Sequence, residues 1–271
     1  VEAVMVRVGI IDFLNAAPLC SQLPRDHERW QIVEGLPSEL ATALRCGEID
    51  VGLVPQVEAC FDADYRIVDG HCISCDGEVA SILLFERKPW QQLERVAADR
   101  ASNSSIALLQ VLRHLDGLAP LEIVESCSDL SLLEQPTAID AVLLIGDAAL
   151  KHRKTSSLER TDLGMAWKQR TDLPFVFAVW LARSGLQPWV SAALVSAARS
   201  GLSEVERIAD QYSSIHPDVL DIAEARDYLS RCIRYDLGDA QKESMKLFHR
   251  FRAELDPAID RSWQPRYLEV N

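Results

Sequence analysis

The sequence predicts a two-lobed α/β protein, and three observations carry that expectation. Short apolar runs alternate with helical patterns up to residue 187, two of the apolar runs (79–87 and 173–183) are much longer than the others, and beyond Pro188 the pattern is helical only. Strand, helix, strand in succession argues for parallel sheets covered by helices on both faces.

Taken in order, a strand at 6–11 runs into the turn Asp12-Phe13-Leu14-Asn15-Ala16-Ala17-Pro18-Leu19. Strands at 31–36 and 51–54 flank a helix at 38–46, which Pro37-Ser38 opens. The strand at 80–85 lies inside the first long run. Short strands at 96–98, 122–124 and 141–145 follow, with a helix at 104–115 after the first of them. The strand at 175–182 lies inside the second long run, and helices are expected at 188–200, 202–212, 219–234 and 239–255. Residues 88–172 are enough for a lobe of their own. The runs near 79–87 and 173–183 are therefore read as hinge strands, with 1–86 and 180–271 forming a discontinuous first lobe, 87–179 the second, and the C-terminal helices returning to the first. A single sheet throughout is the alternative. Two lobes around a cleft suit a ligand that is enclosed on binding.

Composition narrows the function. The 271 residues carry a net charge of −13, with no basic run and no aromatic–basic alternation, which argues against nucleic acid as a partner. Apolar residues make up 48% of the chain, yet no segment approaches the ~20 uninterrupted apolar residues of a membrane span. The N-terminus shows no basic region followed by an apolar core, so no secretory signal is read and a cytoplasmic location is expected. Seven scattered cysteines (20, 46, 60, 72, 75, 127 and 232) fit buried thiols in a reducing compartment. Cys72-Ile73-Ser74-Cys75 spells C-x-x-C but precedes the turn Asp76-Gly77 and has no second pair of ligands, so neither a metal nor a redox site is expected there.

Nucleotide-binding glycine loops, a P-loop, a G-x-S-x-G elbow and H-E-x-x-H are all missing, and the histidines at 27, 71, 114, 152, 216 and 249 are dispersed. No cofactor is expected. What remains is a set of small polar residues at turns. Asn15 follows a first strand, where ligands sit in open α/β sheets, and its amide offers a donor and an acceptor without charge; the alternative is an Asn that satisfies its own turn. Ser102, Ser104 and Ser105 open a helix whose free N–H groups could hold an anion, or are an ordinary cap. Gly146-Asp147 repeats that strand-to-helix geometry, with Asp147 capping the helix as the alternative to touching a ligand. Ser81 enters the first long run, near the expected cleft floor, or bonds within the sheet.

Together these segments resemble the chorismate dehydratases of the futalosine route to menaquinone. The matching pieces are Phe13-Leu14-Asn15-Ala16-Ala17-Pro18-Leu19, Gly47-Glu48-Ile49-Asp50-Val51-Gly52-Leu53-Val54-Pro55 and Cys75-Asp76-Gly77-Glu78-Val79-Ala80-Ser81. Ser102-Asn103-Ser104-Ser105, Leu144-Ile145-Gly146-Asp147-Ala148-Ala149-Leu150 and Asp162-Leu163-Gly164 with Trp167 follow in order. The resemblance implies a periplasmic type-2 solute-binding-protein-like fold and a lyase that removes water from chorismate to give 3-[(1-carboxyvinyl)oxy]benzoate. It implies Asn15 as the catalytic amide, with Ser81, Ser104 and Ser105 as substrate-binding residues. The chain departs from the pattern at Asn103, where Arg is frequent, and at Asp172, where Gly is usual. The small dicarboxylate is the expected partner. Two readings compete: a non-catalytic module that captures a small carboxylate, and the sister enzyme of the pathway that forms dihydroxynaphthoate.

Overall fold

The structure, a computed structural model, describes residues 5–25, 29–99, 103–125, 129–134 and 138–268. In chain order, β1 (Val6–Ile10), α1 (Ala17–Cys20), β2 (Trp30–Glu34), α2 (Pro37–Cys46), β3 (Val51–Pro55) and β4 (Arg66–Cys75) begin one sheet and its cover. A second sheet is then built by β5 (Ile82–Glu86), β6 (Arg95–Ala98), α3 (Asn103–Leu115), β7 (Glu122–Glu125), α4 (Ser131–Glu134), β8 (Ala141–Ile145), α5 (Gly146–Thr155), β9 (Glu159–Asp162) and α6 (Leu163–Thr171). The chain returns through β10 (Phe175–Ala182) to α7 (Pro188–Leu202), α8 (Val205–Ile215) and α9 (Ile222–Asp227). A π turn at Tyr228–Cys232, β11 (Arg234–Asp236), α10 (Asp239–Leu255) and β12 (Tyr267–Leu268) complete it.

Among the described residues the first sheet has seven strands in the order β11-β4-β10-β3-β1-β2, with β12 also on β4, and the second has five in the order β7-β6-β8-β5-β9. The single-sheet alternative is therefore excluded. β1 pairs parallel with β2 and β3, so the turns after these strands open at one end of the sheet. β10 lies antiparallel between β3 and β4, and all eight of its residues are buried, as a central strand's near-continuous apolar run requires. The C-terminal helices return to this sheet: α7 packs on α1 and β4, and α10 on β10 and α3.

Residues 82–86 pair with β8 and β9 in the second sheet, so the chain passes from the first sheet to the second between β4 and β5, at 76–81, where the 79–87 run begins. The return crossing lies between α6 and β10, at residues 172–174. There Asp172 takes φ +58, a left-handed helix cap of the kind that glycine adopts most readily.

The second sheet is pinned at one end by a buried carboxylate. Asp140 accepts the N–H groups of Glu94 (2.9 Å) and Arg95 (3.1 Å) and pairs with the Lys88 ammonium at 2.6 Å. Burial pushes this carboxyl up, but Lys88 and the two amides outweigh it and hold it below the usual value. A carboxylate lowered in the folded state contributes stability above its unfolded pKa of about 3.9 and loses it as pH falls through the folded value. Asp140→Asn is expected to cost about 2 kcal/mol at pH 7, from the loss of charge-assisted bonds. It should also flatten the drop in stability below about pH 4, read from urea melts at pH 7 and pH 3.

Candidate active site

The turns at the carboxyl ends of β1, β2 and β3 meet elements of the second sheet around one shared cavity. Phe13, Pro37, Pro55 and Phe177 supply apolar wall from the first sheet's side; Asn15, Ser81, Ser104, Ser105 and Gly146 also line it. Five of the seven residues singled out from the sequence therefore share one space. Of the other two, Ser102 lies outside the described residues, and Asp147 does not line the cavity. The Asp147 carboxylate sits beside the Tyr212 hydroxyl, which burial and this neighbour push well up.

Asn15 is held by a short 3-10 turn, Leu14–Ala16, in which Ala16 and Ala17 both donate to the Phe13 carbonyl (2.9 and 3.2 Å). Pro18 then starts α1, where a missing N–H costs nothing. The flanking Leu14 and Ala16 are buried, which leaves the amide side chain to face the cavity.

Ser81 is set by a strained turn. The Ser81 N–H donates to the Val79 carbonyl at 2.8 Å around Ala80, whose φ is +64. That is a γ-turn with positive φ, a conformation that costs on the order of 1–3 kcal/mol and persists only where its surroundings impose it. Asp162, the cap of α6, imposes it: its carboxylate accepts the N–H groups of Val79 (3.1 Å) and Ala80 (2.8 Å) as well as that of Met165 (2.9 Å). Burial pushes Asp162 up, against the pull of these three amides. The Ser81 carbonyl accepts the Gly146 N–H at 2.8 Å, so the crossing segment and the start of α5 are tied together. Gly146 itself has φ +60, a conformation that L side chains resist.

Ser104 and Ser105 differ in what they can still do. Ser104 Oγ donates to the Phe177 carbonyl at 3.1 Å, a buried link from α3 to β10, so its proton is already committed to protein. That leaves Ser105 and, apart from the Gly146 N–H already given to Ser81, the first-turn N–H groups of α3 and α5. Among the described residues that line it none carries a charge, and none is a histidine. The C-x-x-C thiols are buried on β4; desolvation pushes Cys72 up to about 12 and Cys75 up strongly, so neither is a nucleophile.

A residue absent from the sequence reading completes the arrangement. The Tyr228 hydroxyl donates to Ser81 Oγ at 2.8 Å, and Asn15 lies against the same phenol. Residues 219–234 read as one regular helix, and nothing in that pattern marks a tyrosine at its middle. The π turn that begins at Tyr228 is a feature of the fold alone.

Two α/β sheets, the second inserted between β4 and β10, with a cavity between them, define the fold class of the periplasmic solute-binding proteins. The alkanesulfonate-binding protein SsuA from Xanthomonas axonopodis pv. citri superposes with a TM-score of 0.64 at 14% identity, covering 96% of each chain. Protein AF1704 from Archaeoglobus fulgidus superposes with a TM-score of 0.75 at 18% identity, covering 96% of this chain and 100% of its own. The chain belongs to the menaquinone biosynthesis family, which it matches over residues 6–254. It is 30% identical to the chorismate dehydratase of Thermus thermophilus over 263 residues, 89% of this chain and 93% of that one. It is 25% identical to the chorismate dehydratase of Campylobacter jejuni over 248 residues, 89% and 94% of the two chains.

Proposed function

We propose that this protein is a carbon–oxygen lyase that removes water from chorismate to give 3-[(1-carboxyvinyl)oxy]benzoate for menaquinone biosynthesis. The observation that carries the reading is the meeting of Asn15, Ser81 and Ser105, from distant parts of the chain, in one cavity whose described lining is uncharged. The names of the curated relatives support it. We also take the two sheets as the cores of two lobes that close on the substrate, with crossings at 76–81 and 172–174. A cytoplasmic location is part of the same reading, supported by the described cysteines all being free thiols.

In this dehydration the C–H bond at the ring carbon bearing the ether breaks, the ring hydroxyl departs, and the ring becomes aromatic. Aromatisation supplies the driving force, so the protein's task is to select this elimination over rearrangement of the enolpyruvyl group. Holding one conformer in an enclosed cavity does that. Among the described lining residues there is no carboxylate or imidazole, which supports the substrate's own enolpyruvyl carboxylate as the acceptor of the proton. Asn15 hydrogen-bonds the reacting region and stabilises charge as it develops. The start of α3, with Ser105, and the start of α5 hold a carboxylate.

Addition of the protein to chorismate is expected to change the ultraviolet spectrum progressively as the aromatic product accumulates. A spectrum that stays flat while chorismate binds would instead mark a carboxylate-capturing module.

A further inference from the structure

Ser81 offers the cavity a single uncommitted polar group. Its N–H goes to Val79 and its carbonyl to Gly146, each at 2.8 Å, which leaves the hydroxyl. That hydroxyl meets Tyr228 Oη at 2.8 Å in a buried contact between residues 147 positions apart. Tyr228 is 3% exposed and does not line the cavity. It starts the π turn that interrupts the path from α9 to β11, and single π turns of this kind gather at functional sites. Asn15 lies beside the same phenol. The phenol gives its proton to Ser81 Oγ, so the Ser81 hydroxyl keeps its own proton to give, and Ser81 lines the cavity. Hydroxyls joined in this way polarise one another, so the last donor is the stronger for it.

We infer that Tyr228 is a positioning residue, whose buried hydroxyl fixes the Ser81 hydroxyl as a hydrogen-bond donor into the cavity. The inference rests on the dehydration reading given above. A fixed donor there serves a substrate oxygen that gains negative charge as the carbon–oxygen bond breaks. Without the phenol, the Ser81 hydroxyl turns freely and the donor is aimed only part of the time.

Steady-state turnover of chorismate and melting temperature are to be measured for wild type, Tyr228→Phe, Ser81→Ala and the double variant. Tyr228→Phe is expected to lower kcat by roughly 10- to 100-fold with KM within about threefold, and to melt within a few degrees of wild type. Ser81→Ala should lose at least as much, and the double variant should match Ser81→Ala within about twofold, because the phenol acts only through that hydroxyl. Wild-type turnover in Tyr228→Phe, or a double variant whose loss is the product of the two single losses, overturns the positioning role and leaves the dehydration standing. Wild-type protein that leaves chorismate intact overturns both. If Tyr228→Phe does not fold, 3-fluorotyrosine at position 228 keeps the shape and hydroxyl while acidifying the phenol. A pH–rate profile that stays in place supports positioning, whereas one displaced by the fluorine marks acid–base chemistry at Tyr228 and overturns it.

Discussion

Asn15→Ala is expected to lower kcat for chorismate dehydration by roughly 10²–10³-fold, the size found when one donor to a developing charge is removed. Binding of chorismate should change by less than about tenfold, because the walls and the helix starts that hold the carboxylates are left intact. The turn that carries Asn15 is closed by backbone bonds from Ala16 and Ala17 to Phe13 and does not depend on the side chain. Melting should therefore be close to wild type, and the loss should fall on the chemical step. Rapid-mixing experiments that separate binding from turnover test this directly. Near-normal turnover would remove Asn15 from the mechanism.

Gly201→Ala should have the largest effect on stability, at a position that does not itself line the cavity. Gly201 is on α7, and a Cβ there would overlap the Pro18 carbonyl oxygen outright and stand 2.9 Å from its carbonyl carbon. Both are backbone atoms of the segment that starts α1, so no rotamer change relieves the overlap. Overpacking of this kind costs about 3 kcal/mol, and a chain of this size loses roughly 2–4 °C of melting temperature for each kcal/mol. Pro18 follows Asn15 by three positions, so displacement of α1 carries the amide with it. Chorismate turnover should fall together with melting temperature, both measured on purified protein. Melting within about 2 °C of wild type would show that α1 moves aside at little cost.

Much of the architecture was legible because its elements obey local rules. Parallel strands read as apolar runs, helices open at Pro37 and Pro188, and the inserted sheet has its own strand–helix alternation. β4 was missed as a strand because Asp69-Gly70 sits inside it and reads as a turn. Gly70 has φ +105 within a strand whose pairings with β10 and β11 both shift register, so the turn signal marked an irregular strand instead. The conformation of the crossing between the sheets was hidden for a different reason. Alanine seldom adopts positive φ, and the conformation of Ala80 follows from Asp162, more than eighty positions away. The same division holds at the site. Asn15, Ser81, Ser105 and Gly146 stand at strand-to-helix turns, which sequence marks well, whereas Tyr228 arrives through tertiary packing alone.

The bond from Gly146 to the Ser81 carbonyl has a mechanical consequence. Ser81 and the head of α5 are held together as one unit, and Asn15 and Phe177 face them from the first sheet's side. Buried bonds from Tyr228 to Ser81, from Ser104 to Phe177 and from Trp167 to Ser244 join the two sides. On the proposed two-lobe reading, a closure that remakes the first of these aims the same hydroxyl each time.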